Sequence, residues 1–434
     1  MRPHALVTPT VLQVKTPPTG PGETMKDDAR SRGKVTRRDA LLLAGATIAV
    51  THLTPSGAFG QGWRPQFDAG DVGEASVLTA HPILTPDTVG WTEAAIATYR
   101  TIVEGGGWPT VPEHYGLGLG VADSAVPTIR ARLIASHDLL ASLGQSDVFD
   151  SYVDAAVRRF QARHGIPADG IVGEATVAAM NISVASRLRQ LEDNLLRLTE
   201  LVDAIPSRFV FVNLPGAQIE AVEAGQVISR HAAVVGRVDR PSPILTSEIH
   251  EINFNPFWTI PVSIIERDLI PLMQREPDYL THERIRIYDQ GGREIDPYNV
   301  DWYSGEATRY MFRQDPGGQN ALGSVRLNFP NPHSVYLHDT PDKTLFRSDY
   351  RFESSGCVRV KDVRELVIWL LRDTPGWARD RIEAVFNSGD RVNARIENPA
   401  KLYLAYITAW GSPAGVVQFR SDIYGRDGIG DPTM

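Results

Sequence analysis

Two short segments of the sequence carry residue types that can do chemistry. One contains a histidine, in the run Tyr336-Leu337-His338-Asp339-Thr340, and the other contains a cysteine, in the run Ser354-Ser355-Gly356-Cys357-Val358-Arg359. A thiol reacts as its thiolate, and a neighbouring imidazole can take its proton. A glycine beside the cysteine lets the backbone bend tightly and leaves amide N–H groups free to stabilise a developing oxyanion. Together the two segments could supply a nucleophile, a base and bare amides.

A strand is the element that would position the histidine in such a site. Side chains alternate along a strand, so Tyr336 and His338 are predicted to share one face while Val335 and Leu337 pack on the other. Each reactive residue also has a plainer interpretation. A strand histidine is commonly a hydrogen-bonded structural residue, and a buried cysteine is commonly a packing residue. Spacing alone leaves both interpretations open.

Cys357 is the single cysteine of the chain. A disulfide within the chain is therefore excluded, and so is a thiolate-rich zinc site, which needs several cysteines. The sequence also lacks a His-Glu-x-x-His pattern. The sequence thus carries neither of these two metal-site patterns.

The composition is typical of a globular protein with several domains. The chain has 434 residues, of which 42% are hydrophobic and 22% are charged. Residues 1–62 contain eight Lys/Arg and four Asp/Glu, a balance of +4, and the rest contains 36 basic and 48 acidic residues, a balance of −12. An acidic body argues against a nucleic-acid partner, because a general nucleic-acid binder needs a basic face.

The basic first segment is predicted to be an export signal. The paired arginines at 37–38 precede an apolar run at 40–50, which small residues follow. This order resembles a twin-arginine signal, so we expect export to the periplasm, with translation starting at Met1 or Met25. A disordered basic tail is the alternative. The apolar run is shorter than the roughly 20 residues that cross a bilayer, and we expect no membrane span in the mature protein.

Hydrophobic periodicity divides the rest of the chain into a helical part and a β-rich part. Helical spacing and stop signals predict helices near residues 92–103, 126–143, 151–164, from 174 onward and at 183–206. From residue 208 the period changes, and strands are predicted at 209–214, 218–222, 227–235, 249–254, 325–329 and 334–338. The segment 261–319 is predicted to be a mixed insertion with a helix at 263–275. A later helix is predicted at 362–372, with Asp362 as its N-cap.

The segment that joins the predicted helix at 151–164 to the helix that begins near 174 has a distinctive pattern. It combines a Phe-Gln pair with spaced turn residues, namely Phe160-Gln161, Gly165, Asp169-Gly170, Gly173 and Thr176. This pattern resembles the small helical peptidoglycan-binding module found on many wall enzymes. The resemblance covers residues 124–182 and implies a wall-binding role. The helical spacing by itself predicts only a three-helix domain.

The histidine and cysteine segments resemble the active-site signature of L,D-transpeptidases of the YkuD family. The match rests on Tyr-Leu-His-Asp-Thr-Pro at 336–341 and on Ser-Ser-Gly-Cys-Val-Arg-Val at 354–360. Two upstream runs also resemble the larger members of that family, Asn320-Ala321-Leu322-Gly323 and Asn328-Phe329-Pro330-Asn331. The resemblance covers residues 207–390. A helical scaffold, a wall-binding module and a long insertion before the histidine strand also recur in that subgroup.

The resemblance implies a role for each residue of the signature. Cys357 would be the nucleophile and His338 its base, while Asp339 would orient the imidazole, in the family usually through a backbone carbonyl. The amides of Gly356 and Cys357 would form the oxyanion hole. Many members carry a histidine where this chain has Ser355, so no second histidine is assigned a role.

Three further residues are candidates for substrate binding. They are Tyr336, Ser355 and Arg359. For Tyr336 a packing role is equally open, and for Arg359 a structural role is not separated from a substrate role.

The expected fold class is multidomain α+β, with a helical scaffold, a three-helix module and a β-rich catalytic domain that carries a lid-like insertion. The predicted boundaries follow the chain: a leader at 1–62, a scaffold at 63–123, the module at 124–182, a connecting helix at 183–206, the catalytic domain at 207–390 with its insertion at 261–319, and a C-terminal extension at 391–434.

The reaction that the resemblance implies is a two-step acyl transfer on peptidoglycan stem peptides, for which no metal and no cofactor is expected. A donor tetrapeptide would lose its terminal D-alanine to give a thioester, and the side-chain amine of an acceptor stem would resolve it into a 3–3 crosslink. Carboxypeptidase action and D-amino-acid exchange could proceed through the same thioester. A non-catalytic wall-binding protein is the alternative from a different class. Carbapenem-type inhibitors are expected to acylate the cysteine.

Overall fold

The computed structural model describes residues 81–143 and 145–428, so the predicted leader lies outside the described residues. The first part of this range forms helices α1 Pro86–Glu104, α2 Val126–Ala135, α3 Ser151–Arg163, α4 Glu174–Asn181 and α5 Val184–Val202. Helix α1 begins at Pro86 rather than at residue 92. The reason is its N-cap, because the Thr85 hydroxyl accepts from the Asp87 N–H and a proline suits the first helical position. Helix α2 ends early, just before His137 adopts a positive φ of 63°.

Helices α2, α3 and α4 pack around one apolar cluster, which confirms the predicted three-helix domain. Its fully buried members include Ile129, Leu133, Val153, Phe160 and Met180. The Asp150 carboxylate caps α3 by accepting from the Tyr152 and Val153 N–H groups at 3.1 and 3.0 Å. Gln161 fixes the turn-rich connector, since its amide donates to the Ile171 carbonyl and accepts from the Gly170 N–H.

The module is docked against the C-terminal part of the chain through buried contacts. Arg163 forms a buried ion pair with Asp138 at 2.5 Å and donates to the Val417 carbonyl at 3.3 Å. The His164 ring stacks between Phe160 and Phe419. Helix α5 packs beside α1, and the buried Leu191 and Leu198 on its inner stripe join two small clusters there.

Fifteen strands follow within the described residues, in two large sheets and one hairpin. They are β1 Arg208–Asn213, β2 Gln218–Glu223, β3 Gln226–Gly236, β4 Leu245–Phe254, β5 Trp258–Thr259, β6 Ile285–Tyr288, β7 Glu294–Ile295, β8 Met311–Gln314, β9 Val325–Asn328, β10 Leu337–His338, β11 Phe352–Ser354, β12 Val358–Val360, β13 Val392–Ala405, β14 Ala409–Gly411 and β15 Val417–Phe419. The main sheet has the order β11-β3-β12-β10-β9-β4-β13-β1-β2, and a further pairing of β2 with β3 closes it into a barrel-like form.

The second half of the described chain also contains five helices. They are α6 Val262–Ile264, α7 Ile270–Met273, α8 Tyr279–His282, α9 Val363–Leu371 and α10 Arg379–Ser388. Helix α9 packs its buried residues against the main sheet, in the largest apolar cluster of the described chain. Asp362 occupies the N-cap position of α9, as predicted, but it has a positive φ of 49° and its side chain makes no capping hydrogen bond.

Strand β13 runs through the interior of the main sheet. It pairs parallel to β1 and antiparallel to β4, with Val210 opposite Leu402 and Ile249 opposite Ala400. The sequence predicts a separate extension from residue 391, but the first part of that segment is one of the sheet's interior strands. The closed sheet, and with it the catalytic half of the protein, therefore includes residues beyond 390.

The predicted insertion forms a small unit with its own sheet and its own core. Strands β5, β8, β6 and β7 pair in that order, and their buried residues include Leu280, Ile287, Ala307 and Phe312. The predicted helix at 263–275 is three consecutive pieces, because a π-helical turn at Ile265–Leu269 joins α6 to α7. Trp258 lies in this unit, and the insertion therefore begins slightly before residue 261.

The predicted strand at 334–338 is shorter in the structure, where β10 comprises only Leu337 and His338. Ser334 has a positive φ of 55°, and the Asn331 side chain ties the preceding turn by bonding both the N–H and the C=O of Val335. A side chain that occupies these backbone groups leaves them unavailable for a strand ladder. Among the described residues, none of the helices has the length and apolar character needed to cross a membrane.

Candidate active site

The register of the main sheet gathers the predicted site residues on one face. Leu337 lies opposite Val358, and both are buried in the core. Because side chains alternate along strands, the residues on either side of this pair project to the opposite face. His338 lies opposite Arg359 on that face, and Cys357 is one step back, beside Tyr336. Cys357 and His338 are thus diagonal to each other across the two strands. Tyr336 and His338 share a face, as their alternation in the sequence predicted.

His338 is almost fully buried and is oriented through its Nδ1 atom. That atom lies 2.5 Å from the carbonyl oxygen of Asp339. A carbonyl oxygen only accepts, so Nδ1 carries the proton and Nε2 keeps its lone pair. Burial lowers the pKa of His338 to about 3, with further lowering by the charges of Arg359 and Arg326. The imidazole is therefore neutral at physiological pH and ready to accept a proton.

The Asp339 carboxylate is turned away from the imidazole. It accepts from the Ser324 N–H at 3.0 Å and from the Ser324 hydroxyl at 2.7 Å, and it is paired with Lys343. Burial alone would raise the pKa of Asp339, but the hydrogen bonds from Lys343 and Ser324 outweigh it and hold the pKa below its ordinary value. Asp339 thus orients His338 through its main chain, while its carboxylate anchors the strand to the segment before β9.

Cys357 is a half-buried free thiol immediately before β12. Burial raises the pKa of Cys357 to about 11, although a backbone hydrogen bond with Tyr336 and the charge of Arg359 act in the opposite direction. The resting pair is therefore a neutral thiol beside a neutral imidazole. Such a pair is reactive only when the thiol proton passes to the base as the sulfur attacks.

The backbone around the cysteine is held by Ser354 and bent at Gly356. The Ser354 hydroxyl donates to the Cys357 carbonyl at 2.5 Å and accepts from the Gly356 N–H at 3.1 Å. The Gly356 amide is therefore already bonded, and the prediction of a bare amide at this residue is wrong for the structure as described. Gly356 has a φ of 108°, which L-residues with a side chain rarely adopt, so glycine is required for the bend.

Ser355 is linked to the insertion by an arginine. Arg240 donates to the Ser355 hydroxyl oxygen at 3.1 Å and forms a two-pronged ion pair with Asp268 at 2.6 and 3.0 Å. Asp268 lies in the π-helical turn between α6 and α7. The residue beside the Gly-Cys pair is thus connected through one side chain to the unit predicted to be a lid.

Tyr336 lines the site and also packs against the core. Its ring meets the ring of His338 edge-on, with 5.9 Å between centroids, and the Arg326 guanidinium lies 5.2 Å from its centroid. Burial raises the pKa of Tyr336 far above its ordinary value, and the nearby Cys357 adds to the effect. The hydroxyl is therefore a neutral phenol, and it is a hydrogen-bond partner of Trp258.

Two arginines flank the histidine on neighbouring strands. Arg359 lies opposite His338 on β12 and Arg326 lies opposite it on β9. Arg326 is held by the Asn253 side chain at 2.8 Å, whereas the buried Nε of Arg359 has no hydrogen-bond partner in the part of the chain that the structure describes. The strand alternation Val325-Arg326-Leu327 is the signal that could have identified Arg326. Ser324, Lys343 and Arg240 carry no such local signal.

Within the described residues, no group of three or more His, Cys, Asp or Glu side chains is arranged to hold a metal ion. A thiol, a neutral imidazole with a fixed tautomer and a free lone pair, and two nearby cationic groups can together carry out acyl transfer from an anionic substrate.

Comparison with known families agrees with this arrangement. Residues 207–382 match the YkuD family, described as the L,D-transpeptidase catalytic domain, and residues 122–180 match a family described as "Putative peptidoglycan binding domain". The chain therefore contains a YkuD L,D-transpeptidase catalytic domain preceded by a peptidoglycan-binding domain, as the resemblances in the sequence indicated.

Individual relatives are similar over parts of the chain. A Haemophilus influenzae protein named "Putative L,D-transpeptidase" is 34% identical over 219 residues, which cover 50% of this chain and 44% of the relative. The L,D-transpeptidase (Yku) of Stackebrandtia nassauensis has 15% identity and a TM-score of 0.25, covering 68% of this chain and 96% of that one. L,D-transpeptidase 3 of Mycobacterium tuberculosis, solved in complex with a faropenem-derived adduct, has 10% identity and a TM-score of 0.22. The match covers 46% of this chain and 60% of that one.

Proposed function

We propose that this protein is a peptidoglycan L,D-transpeptidase that forms 3–3 crosslinks through a thioester on Cys357. The observation that carries the proposal is the placement of Cys357 beside a neutral, Nδ1-protonated His338 on one face of a matched L,D-transpeptidase domain. The matched part of the chain spans 44% of the length of the Haemophilus influenzae relative.

In the first step the Cys357 sulfur attacks the carbonyl between the L-centre of diaminopimelate and the terminal D-alanine of a donor tetrapeptide. His338 takes the thiol proton at Nε2 as the C–S bond forms. The negative charge on the carbonyl oxygen is stabilised by the Cys357 N–H, since the Gly356 N–H is already bonded to Ser354. The C–N bond then breaks, the proton passes from His338 to the leaving amine, and D-alanine departs.

In the second step the side-chain amine of an acceptor stem attacks the thioester. His338 accepts the amine proton and returns a proton to the sulfur as the C–S bond breaks. The product is an amide that joins two stems, and the free thiol is restored. No ATP is consumed, because the thioester conserves the energy of the amide bond that was broken.

Three side chains are suited to hold the donor stem. Arg359 and Tyr336 lie on the reactive face, beside the base and the nucleophile, and Ser355 lies next to the Gly-Cys pair. A stem peptide is rich in carboxylates, and a guanidinium binds a carboxylate with two parallel hydrogen bonds. We propose Arg359 as the group that meets substrate charge, with Tyr336 as a wall of the same pocket.

The remaining parts of the chain have proposed roles that follow from this reaction. The unit at 261–319 acts as a lid that shields the thioester from water, and its link to Ser355 through Arg240 supports that role. The module at 124–182 holds the enzyme on the wall, and the twin-arginine-type leader directs it to the periplasm.

Product analysis on purified stem peptides tests the proposal. The wild-type protein is expected to convert tetrapeptide stems into dimers seen by mass spectrometry, and Cys357→Ala is expected to make none while still binding isolated wall. Trimmed tripeptides without dimers would assign the protein as a carboxypeptidase. Incorporation of an added D-amino acid would assign it as an exchange enzyme. Dimers from Cys357→Ala would contradict the proposed nucleophile.

Acylation by a carbapenem separates an enzyme from a wall-binding protein without catalysis. A strained β-lactam carbonyl is attacked by the same thiol and base as the stem carbonyl. One covalent adduct per chain is expected at Cys357, and none on Cys357→Ala. A wild-type chain that is correctly folded and forms no adduct would favour the non-catalytic alternative.

A further inference from the structure

Beyond the predicted signature, a buried serine is bonded to the peptide unit that precedes the nucleophile. Ser242 lies between β3 and β4 and is fully buried. Its hydroxyl donates to the Gly356 carbonyl oxygen at 2.8 Å and accepts from the Gly236 N–H at 2.9 Å. Because the hydroxyl already accepts from Gly236, its single proton is directed at Gly356.

The Gly356 carbonyl belongs to the same peptide unit as the Cys357 N–H. In a trans peptide the C=O and the N–H are coplanar and point in opposite directions, so holding one fixes the direction of the other. In the part of the chain that the structure describes, the Cys357 N–H has no acceptor among the backbone and side-chain hydrogen bonds. It is thus an oriented donor without a partner, next to the sulfur.

We propose that Ser242 is a positioning residue that orients the Cys357 N–H as the oxyanion-hole donor of the acyl-transfer reaction. The inference rests on the proposed function and adds a residue to it. Gly356 makes such support necessary, because glycine has broad conformational freedom and the peptide unit after it could otherwise rotate. A preorganised donor stabilises the oxyanion without reorganising during the reaction.

The serine is itself held from two sides. Its loop is tightly closed, because a Cβ at Gly236 would lie 2.3 Å from the Arg240 carbonyl oxygen and 2.4 Å from the Ser242 nitrogen. Behind the loop, the Tyr424 hydroxyl donates to the Gly236 carbonyl at 2.6 Å and lies 3.4 Å from the Ser242 nitrogen. The C-terminal segment therefore supports the nucleophile through Ser242.

Two reactions of the same thiol distinguish positioning of the amide from general support of the loop. Acylation by imipenem passes through an oxyanion, whereas alkylation by iodoacetamide displaces iodide and forms none. Direct removal of an oxyanion-hole donor costs about 10²–10³ in rate, so loss of a group that only orients the donor is expected to cost about 10-fold.

Both rates are measured on the full chain of the wild type, Ser242→Ala and Ser242→Thr. Ser242→Ala is expected to slow acylation about 10-fold while changing alkylation less than twofold, and Ser242→Thr is expected to restore acylation because it keeps the hydroxyl. Ser247→Ala is the matched control, since it removes a serine-to-carbonyl hydrogen bond, to Pro330 at 2.7 Å, away from the site.

Equal losses in acylation and alkylation would overturn the inference, and so would unchanged acylation in Ser242→Ala. If Ser242→Ala does not fold, Tyr424→Phe is measured instead, because it removes the hydroxyl that holds the loop; the same selective loss is expected, and its absence overturns the inference. A wild-type thiol that is alkylated but never acylated would overturn the proposed function itself, together with this inference.

Discussion

The imidazole of His338 is oriented by the main-chain carbonyl of Asp339, 2.5 Å from Nδ1, while the carboxylate of the same aspartate is bonded to Ser324 and Lys343. The residue that follows the base thus has two separate functions. Its carbonyl fixes the tautomer of the imidazole, and its carboxylate anchors the strand. The two functions respond differently to substitution.

Asp339→Asn is expected to keep catalysis and lose stability. The carbonyl that orients His338 is unchanged, so acylation should fall less than about 10-fold, whereas His338→Ala removes the base and should cost about 10²–10⁴. Loss of charge-assisted hydrogen bonds to a buried carboxylate should reduce the free energy of unfolding by about 1.5–3 kcal/mol. Acylation rates and urea unfolding measure the two effects.

Lys343→Ala provides the control for this comparison, because it removes the exposed partner of the same carboxylate and keeps both Ser324 bonds. Its effect on stability should be smaller than that of Asp339→Asn. A loss of acylation in Asp339→Asn as large as that in His338→Ala would show that the carboxylate, and not the carbonyl, supports the base.

Simple alkylation of Cys357 should be slow at neutral pH. Burial raises the pKa of Cys357 to about 11 from an ordinary value of 9.0, so the thiolate fraction at pH 7.5 is about 100-fold lower than that of an unperturbed thiol. The rate of reaction with iodoacetamide should rise about tenfold per pH unit from pH 7 to about pH 10.5. Short reactions followed by mass spectrometry measure the profile. A plateau below pH 9 would indicate a stabilised thiolate and contradict the neutral pair.

Acid should destabilise the fold partly through His338. Its pKa is about 3 in the folded protein and 6.5 in the unfolded chain, so between these values the unfolded state binds more protons. Stability is therefore fully present above about pH 6.5 and falls as the pH decreases towards 3. Buried His164 and His231 also have lowered pKa values, so they add to the wild-type slope.

The contribution of His338 is isolated by comparing the wild type with His338→Gln, which cannot take up that proton. Between pH 6 and pH 4 the wild-type slope of unfolding free energy against pH should be steeper by about 1.4 kcal/mol per unit. Chemical unfolding at several pH values measures both slopes. Parallel slopes would mean that His338 is protonated in the folded state at these pH values.

The link between Ser355 and the insertion should control the lifetime of the acyl-enzyme. Asp268→Ala removes the ion pair that ties Arg240 to the π-helical turn. If the unit at 261–319 excludes water, the variant should form the carbapenem adduct at nearly the wild-type rate but hydrolyse it about threefold faster or more.

Asp239→Ala is the matched control for the lid experiment. Asp239 is an exposed carboxylate that also lies near Arg240, at 3.7 Å, but it belongs to the β3–β4 loop and not to the insertion. Its adduct should have a lifetime within twofold of the wild type. Equal shortening in the two variants would assign the effect to the charge of Arg240 rather than to the insertion.

Local alternation was sufficient to predict a shared face for Tyr336 and His338, but not to identify the complete reactive face. The pattern around Tyr336 and His338 predicts a shared face, and the register with β12 adds Cys357 and Arg359 to it. Ser242 was not predictable in this way. Its position depends on a hydrogen bond between segments 114 residues apart, for which a single sequence carries no signal.

In the fold, too, the elements that depend on local sequence were predicted, and those that depend on distant parts of the chain were not. Strands β1 and β2 were predicted within one or two residues of their observed bounds, since their alternation and turn residues are local. The position of β13 inside the sheet was not predicted, because its partners β1 and β4 begin more than 140 residues earlier in the chain. The late start of β10, at Leu337, depends on the Asn331 side chain, which occupies the backbone groups of Val335.

Strand β13 also determines when the main sheet can close during synthesis. It lies between β4 and β1, yet it is made from residues 392–405, after both His338 and Cys357. While the ribosome is still adding these residues, the sheet cannot close, and Tyr424 is synthesised later still. A chain that stops before residue 392 carries every residue of the signature but lacks the strand that joins β4 to β1. The barrel-like closure of the main sheet therefore has to wait until the C-terminal part of the chain has been made.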